Sequence, residues 1–403
     1  MGKLKNCLLS KTRRYGLGFG VLMSSFGVTN AAGLPEHVQA HGFVSQAYIT
    51  TSDNNFWGET SGNQHFDFRE FGLNLSIQPT PDIHLAGQIL ARHAGNLDNG
   101  DFRLDYILAD YSLLSNQTQS LGVRVGRILN PLGLYNETRD IAFTRPGILL
   151  PQSIYFDRTR DLAFSSDGVQ LHGEYRISNN EIFWQFSSAL PIVDSPELEL
   201  ALLTADMPGK FKPDQSHLGR LLWERDGGRT RLGISYAYVD IHYDPAAVDP
   251  LSRGNIIFMP TIFSAQYNQE KWSATTEYAI RRFEYHNLGA IPDQSFTGDS
   301  WYLQGTYRPA TTWEVFARYD NLFSDKTDRD GKDYAAATSK PAYTRFARDL
   351  TFGVKKVFNP WVMVRAEYHN VDGTAWLSTL ENQPVSSLKR RWDMFALLMS
   401  LRF

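Results

Sequence analysis

Residues 129–164 read LNPLGLYNETRDIAFTRPGILLPQSIYFDRTRDLAF, a segment in which Arg139, Arg145, Arg158 and Arg160 are matched by Glu137, Asp140, Asp157 and Asp161. Among them stand Leu134, Ile141, Phe143, Ile148, Leu149, Leu150, Ile154 and Phe156. Fixed charges of both signs in so apolar a stretch suit sorting by charge rather than bond-making, because guanidinium and carboxylate groups at a narrow place act on whatever ion passes. Tyr135, Tyr155 and Phe156 add a possible stacking surface. A stretch this apolar is not expected to extend into water; it must fold against a wall or dock on a neighbouring subunit.

Bond-making chemistry has little support elsewhere. There is no G-x-S-x-G and no H-E-x-x-H, and the 10 histidines are scattered. His172 and His369 are expected on an interior wall and His84 near a turn. The stretch SDKTDRDGKDY (324–334) resembles a calcium loop but has Lys326 where the first ligand belongs. No cofactor motif appears, and no enzyme is expected.

The elements that must hold segment 129–164 are strands. In EFGLNLSIQ (70–78), TRLGISYAY (230–238), LTFGVKK (350–356) and MFALLMSLRF (394–403), large apolar residues alternate with small or polar ones, Leu398 being an exception. That period of two gives a strand one apolar face. The pattern predicts about sixteen strands, near 42–50, 66–78, 82–93, 102–114, 119–128, 165–177, 180–190, 216–226, 228–240, 256–269, 270–283, 298–309, 311–322, 344–358, 360–370 and 390–403. Most reach the roughly 9–11 residues that a tilted strand needs to cross a bilayer.

The connections alternate. Short turns (QPTPD, SNQTQ, ISNN, RDGGR, NQEK, RPATT, FNP) interleave with long segments at 51–65, 129–164, 191–215, 241–255, 284–297, 323–343 and 371–389; the segment at 94–101 is shorter. An antiparallel transmembrane barrel sorts its connections in this way, with short periplasmic turns and long outer loops, whereas a soluble sandwich has no reason to. Trp272 and Tyr278, Trp301 and Tyr307, and Trp313 and Tyr319 fall on outward faces, at the heights where amphipathic rings meet headgroups. The expected fold is therefore all-β: a closed transmembrane antiparallel barrel with one inward-folded constriction loop, 129–164. The strand ending at Phe403 is expected to pair with the first, because unpaired backbone has no place in lipid.

The remaining composition agrees. Hydrophobic residues make up 42% of the 403 and aromatics 13%. Lys3, Lys5, Lys11, Arg13 and Arg14 precede an apolar run at 15–28, and VTNAAG follows, so residues 1–31 read as a secretory signal peptide and 32–403 as the mature barrel. Cleavage there removes the only cysteine, Cys7, and five of the 40 basic residues. The remaining 35 stand against 43 acidic ones, a net charge of −8. That acidity argues against a nucleic-acid partner.

The stretches VGRILNPLGLYNETRD, TRPGILLPQSIYFD and TWEVFARYDNL resemble the phosphate-selective porin O/P-like superfamily of Gram-negative outer membranes. The resemblance implies a trimeric sixteen-stranded pore for small anions or other small hydrophilic solutes, set among outer-membrane lipid and lipopolysaccharide. Strand phasing turns Arg92, Arg124, Arg229, Arg231, Arg281, Arg308, Arg318, Lys355 and Arg365 inward, with Glu70, Glu174, Glu277, Glu314, Asp320, Asp349 and Glu367. The candidate pore-lining residues are Arg124, Arg139, Arg145, Arg158, Arg160, Arg281, Arg318, Arg365, Glu137 and Asp140. Two other expectations remain open: a channel specific for sugars or organic acids, and a structural or adhesin barrel whose lumen the loop blocks.

Overall fold

The structure, a computed structural model, describes residues 37–63 and 65–403; the expected signal peptide lies outside them. Among these residues, seventeen strands form one sheet. They are β1 (Val38–Thr51), β2 (Arg69–Thr80), β3 (Ile83–His93), β4 (Asn99–Ser115), β5 (Gln119–Leu129), β6 (Ser165–Ile177), β7 (Asn180–Pro191), β8 (Lys210–Pro213), β9 (Ser216–Arg225), β10 (Thr230–Asp244), β11 (Gly254–Asn268), β12 (Trp272–His286), β13 (Gln294–Ala310), β14 (Trp313–Phe323), β15 (Phe346–Asn359), β16 (Val362–Gly373) and β17 (Arg391–Arg402). Each pairs antiparallel with its neighbours, and β8 and β9 both pair with β10, so together they make one stave. The result is a closed sixteen-stave transmembrane barrel.

Closure comes from β1, which pairs with both β2 and β17. Gly42 N donates to Phe403 O at 2.8 Å and Phe403 N to Gly42 O at 2.9 Å. The last apolar strand is thus an interior stave with no edge left unpaired.

The outward face follows the alternation. Phe395, Leu397 and Leu401 are exposed, as are Leu232, Ile234 and Tyr236, and Leu350 and Phe352. Trp272, Tyr278, Tyr307, Trp313 and Tyr319 stand exposed on the same surface, and lipid is what such a surface is built to meet.

The inward face is less uniform. Long loops L1 (52–68), L2 (94–98), L3 (130–164), L4 (192–209), L5 (245–253), L6 (287–293), L7 (324–345) and L8 (374–390) leave the outer rim. Several fold back onto inward-facing apolar residues. One cluster joins Phe56 and Trp57 of L1, Ala142, Ile148 and Leu149 of L3, and Trp376 and Leu377 of L8 to Ile49, Met363, Val371, Trp392, Met394 and Leu398 of the wall. The other sets Leu198, Leu202 and Leu203 of helix α1 (Pro196–Leu203, in L4) on Val239, Ile241, Ile256 and Tyr285. Helix α1 begins where Ser195 accepts from Leu198 N at 3.4 Å, with Pro196 as its first residue. Leu398, the exception in the terminal alternation, is inward and fully buried in the first cluster.

Candidate functional site, the loop-crossed lumen

L3 enters the barrel and is held by wall residues of many staves. Its start and its middle meet at Glu277 of β12. That carboxylate accepts from Tyr155 Oη at 2.7 Å, Tyr302 Oη at 2.9 Å, Ser264 Oγ at 2.6 Å and Leu134 N at 3.0 Å. Gly133, at φ +61, turns the chain here, where a Cβ would collide with Tyr155 Oη and Glu277 Oε1. Gly133 N also donates to Ser235 Oγ of β10 at 3.0 Å.

The loop then crosses to the far side. Arg145 reaches Glu70 of β2 at 3.1 Å, and Asp157 takes Arg92 of β3 at 3.4 Å and Arg139 at 3.3 Å. Arg160 lies 2.6 Å from Asp140 and 3.6 Å from Asp105 of β4. Burial would push the Asp140 carboxyl up, but Arg160 beside it outweighs burial and holds it at about 2. The loop tip is fastened to β14 and β16. Arg365 donates to Gly147 O at 2.6 Å and Arg318 to Leu149 O at 3.1 Å, while Glu367 accepts from Ile148 N and Leu149 N. Ser153 N donates to Asp320, and Ser300 Oγ to Ser153 O at 2.8 Å. His369 is fully buried against Asp349 at 2.8 Å and Glu367 at 3.3 Å.

This geometry sorts the sequence-derived candidates into two groups. Arg139, Asp140, Arg145, Arg160, Arg318 and Arg365 are buried, the arginines against carboxylates or backbone carbonyls and Asp140 against the Arg160 guanidinium. They face the barrel interior yet fasten L3 instead of facing water. Arg281 belongs with them: its guanidinium lies 4.9 Å over the Phe156 ring and donates to Phe323 O at 3.2 Å. Arg124, Glu137 and Arg158 differ. Arg124 pairs with Asp110 at 2.8 Å on the wall and keeps 27% of its side chain exposed. Glu137 hangs beneath L3, pairs with Arg220 of β9 at 2.5 Å and is 25% exposed. Arg158 is also held, but at the outer mouth, by Glu197 at 2.5 Å and Thr379 Oγ1 at 3.0 Å.

Two expectations need correction. Arg229 is not a wall residue: it follows the turn after β9, near Asp226, with 56% of its side chain exposed. Tyr155 offers no stacking face, being buried with its hydroxyl on Glu277. Tyr135 is half-buried, with its oxygen accepting from Gln266 at 3.1 Å and its ring 5.9 Å from that of Tyr155.

The sequence reading missed the fastenings of the mouth. Glu197 in α1 accepts from Arg158 at 2.5 Å, Ser378 Oγ at 2.7 Å and the backbone of Thr379 and Leu380, joining L3, L4 and L8. Glu381 of L8 accepts from Trp57 N at 3.0 Å, Gly58 N at 2.8 Å and Asn96 N at 3.0 Å, joining L8, L1 and L2. Burial raises its carboxyl to about 7. Below L3, towards the short turns, the interior stays polar and reaches water. There Arg231 faces Glu224 at 2.6 Å and Arg308 faces Glu314 at 3.2 Å, while Lys355 lies 2.8 Å from Glu314 and His172 lies 2.9 Å from Asp110.

No family model and no curated protein matches the chain. Solved structures do match. The anion-selective porin from Comamonas acidovorans superposes with a TM-score of 0.57 at 10% identity, over 91% of this chain and 99% of that one. OprB of Pseudomonas putida gives 0.57 at 11%, over 94% and 97%. The outer membrane channel DcaP of Acinetobacter baumannii gives 0.56 at 13%, over 91% and 97%. At identities this low the likeness is one of fold alone: the chain shares with these channels a closed antiparallel barrel, and its third long loop folds inward.

Proposed function

We propose that the chain is an outer-membrane porin that passes small hydrophilic solutes by diffusion, with a mild preference for anions. One observation carries this reading. The barrel interior is polar and charged below L3, and there the bases reach further into water than the acids. Side-chain exposure is 30% for Arg231 against 14% for Glu224, 36% for Arg308 against 13% for Glu314, and 27% for Arg124 against 18% for Asp110. Only the pair beneath the loop reverses this, at Glu137. A solute in a low-dielectric tube feels the nearer charge most, so a near-balanced set of charges gives a weak bias towards anions.

The buried loop arginines add little to that bias, since each is neutralised where it sits. The resemblance of residues 125–140 and 144–157 to phosphate-selective porins supports the same direction, as does the fold likeness to the Comamonas acidovorans porin described as anion-selective. Export by cleavage near residue 31 and assembly as a homotrimer complete the proposal.

A second reading has its own observation. L3 is bonded to staves on opposite sides of the lumen and the mouth loops are fastened to one another, as a structural barrel with a blocked lumen would require. Planar-bilayer recording separates the two. A porin gives ohmic steps and a reversal potential displaced towards anions in a salt gradient. Clear cation selectivity would refute the anion preference, and silence would favour the blocked barrel.

A further inference from the structure

Three arginines lie in a row on the outside of the barrel at its outer rim. Phe323 at the end of β14 and Phe346 at the start of β15 are paired across the two strands. Arg329 lies 5.3 Å over the Phe323 ring, Arg348 lies 5.8 Å over Phe323 and 5.0 Å over Phe346, and Arg390 lies 5.5 Å over Phe346. Both rings are buried under these guanidiniums. The row is outward by strand parity, since Arg348 shares its face with exposed Leu350 and Phe352, and Phe323 shares its face with exposed Tyr319. Two residues along a strand is roughly 6.6 Å, so the guanidiniums stand one step above the lipid-facing belt.

The charges do not cancel. Asp299 takes Arg329 at 2.5 Å, and Asp372 takes Arg390 at 2.6 Å and Arg348 at 3.6 Å. Arg391 is the cross-strand partner of Asp372 and is exposed on the same outer face. The nearby carboxylate Asp393 is engaged by Tyr368 Oη at 2.9 Å and Asn370 at 2.8 Å, and Asp330 of L7 is held by Lys332 at 2.5 Å. Arg329 and Arg390 each use Nε and Nη2 on their aspartate, so among the described residues Nη1 of each has no acceptor. The side chains stay 56%, 37% and 51% exposed in row order.

We propose that this row binds the phosphate groups of a phosphorylated lipid of the outer leaflet. The chemistry fits in three ways. Stacking fixes each guanidinium plane and leaves its N–H edge for a tetrahedral oxyanion, which accepts bidentate bonds from arginine. The exposed apolar belt directly below provides a surface for the acyl chains of the same molecule. The height matches the headgroup zone, where a free anion in bulk water has no such second contact. The site is on the outer wall, so its test is independent of whether the lumen conducts.

The experiment compares the folded barrel with the triple variant R329Q/R348Q/R390Q in detergent, using native mass spectrometry with purified diphosphoryl lipid A, its dephosphorylated form, and inorganic pyrophosphate. A charge-matched control, K326Q/K332Q/K340Q, removes three positive charges from L7 while leaving the row intact. Heat-modifiable electrophoretic mobility verifies folding of each variant. The wild type and the control should retain diphosphoryl lipid A, with the triple variant weaker by roughly tenfold or more. Equal retention by the triple variant would overturn the proposal. So would equal retention of the dephosphorylated lipid, or pyrophosphate binding as tight as the lipid's.

Discussion

The two ends of this barrel have the same exterior and opposite interiors. Near the short turns, inward residues are polar and half-exposed, as at Arg231, Glu224, Arg308 and Glu314. Near the long loops, inward residues are Ile49, Val239, Ile241, Ile256, Val371 and Trp392, all buried under L1, L3, L4 and L8. A lumen needs polar walls only where water is meant to stay. Where loops return to the wall, the strand becomes apolar on both faces, and the barrel gains a protein core at its outer end. The contrast predicts that stability resides mainly in the outer half and ion selectivity in the inner half.

The largest expected effect tests the outer half. Trp376→Ala removes a buried ring that packs on Phe56 at 5.2 Å and Trp392 at 5.2 Å. Such truncations cost about 3–5 kcal/mol, to be read from denaturant unfolding of the barrel in detergent. Next comes Glu277→Ala, which orphans the hydroxyl donors and the backbone donor that meet there and frees both limbs of L3. A loss of at least about 3 kcal/mol should accompany noisier single-channel current as the loop loosens.

A pH series probes the mouth alone. The Glu381 carboxyl is raised by burial from 4.5 to about 7, so between those values the folded protein holds a proton that the unfolded chain has lost. Stability therefore falls as pH rises through that window and is greatest below it. Hydrogen exchange at the Trp57, Gly58 and Asn96 amides should quicken in step, and Glu381→Gln should flatten the dependence. The smallest effect on stability belongs to the inner half. Replacing Arg231 and Arg308 by glutamine breaks exposed pairs worth ~0–1 kcal/mol each, yet should move the reversal potential towards cations.

The same contrast explains what the sequence disclosed. Strand number, alternating loop lengths and outward aromatics were legible because lipid imposes a period of two along the whole outer face. Leu398 looked anomalous because it is buried in a cluster built with residues of L1, L3 and L8, which the period of a strand does not reveal. Arg220 was overlooked for a related reason: Leu218 and Leu222 lie on the same inward face and are buried, so the stave is apolar on both sides and its phase is ambiguous. Strand phase turns Arg365 inward and Arg145 lies on the loop expected to fold inward, but periodicity carries no information about Glu70, 75 residues from Arg145, or about the Gly147 carbonyl. Glu197 and Glu381 lie in loops, where no period exists to single them out.

Cysteine accessibility during single-channel recording tests the division of the lumen most directly, as the only cysteine of the chain is Cys7. A charged thiol reagent added from the short-turn side should rapidly reduce current through Arg124→Cys, on the open inner wall, and leave Met394→Cys, buried beneath the outer loops, unmodified. Equal and rapid modification of both positions, or no current at all from the unmodified barrel, would contradict a polar inner vestibule leading to a loop-packed mouth.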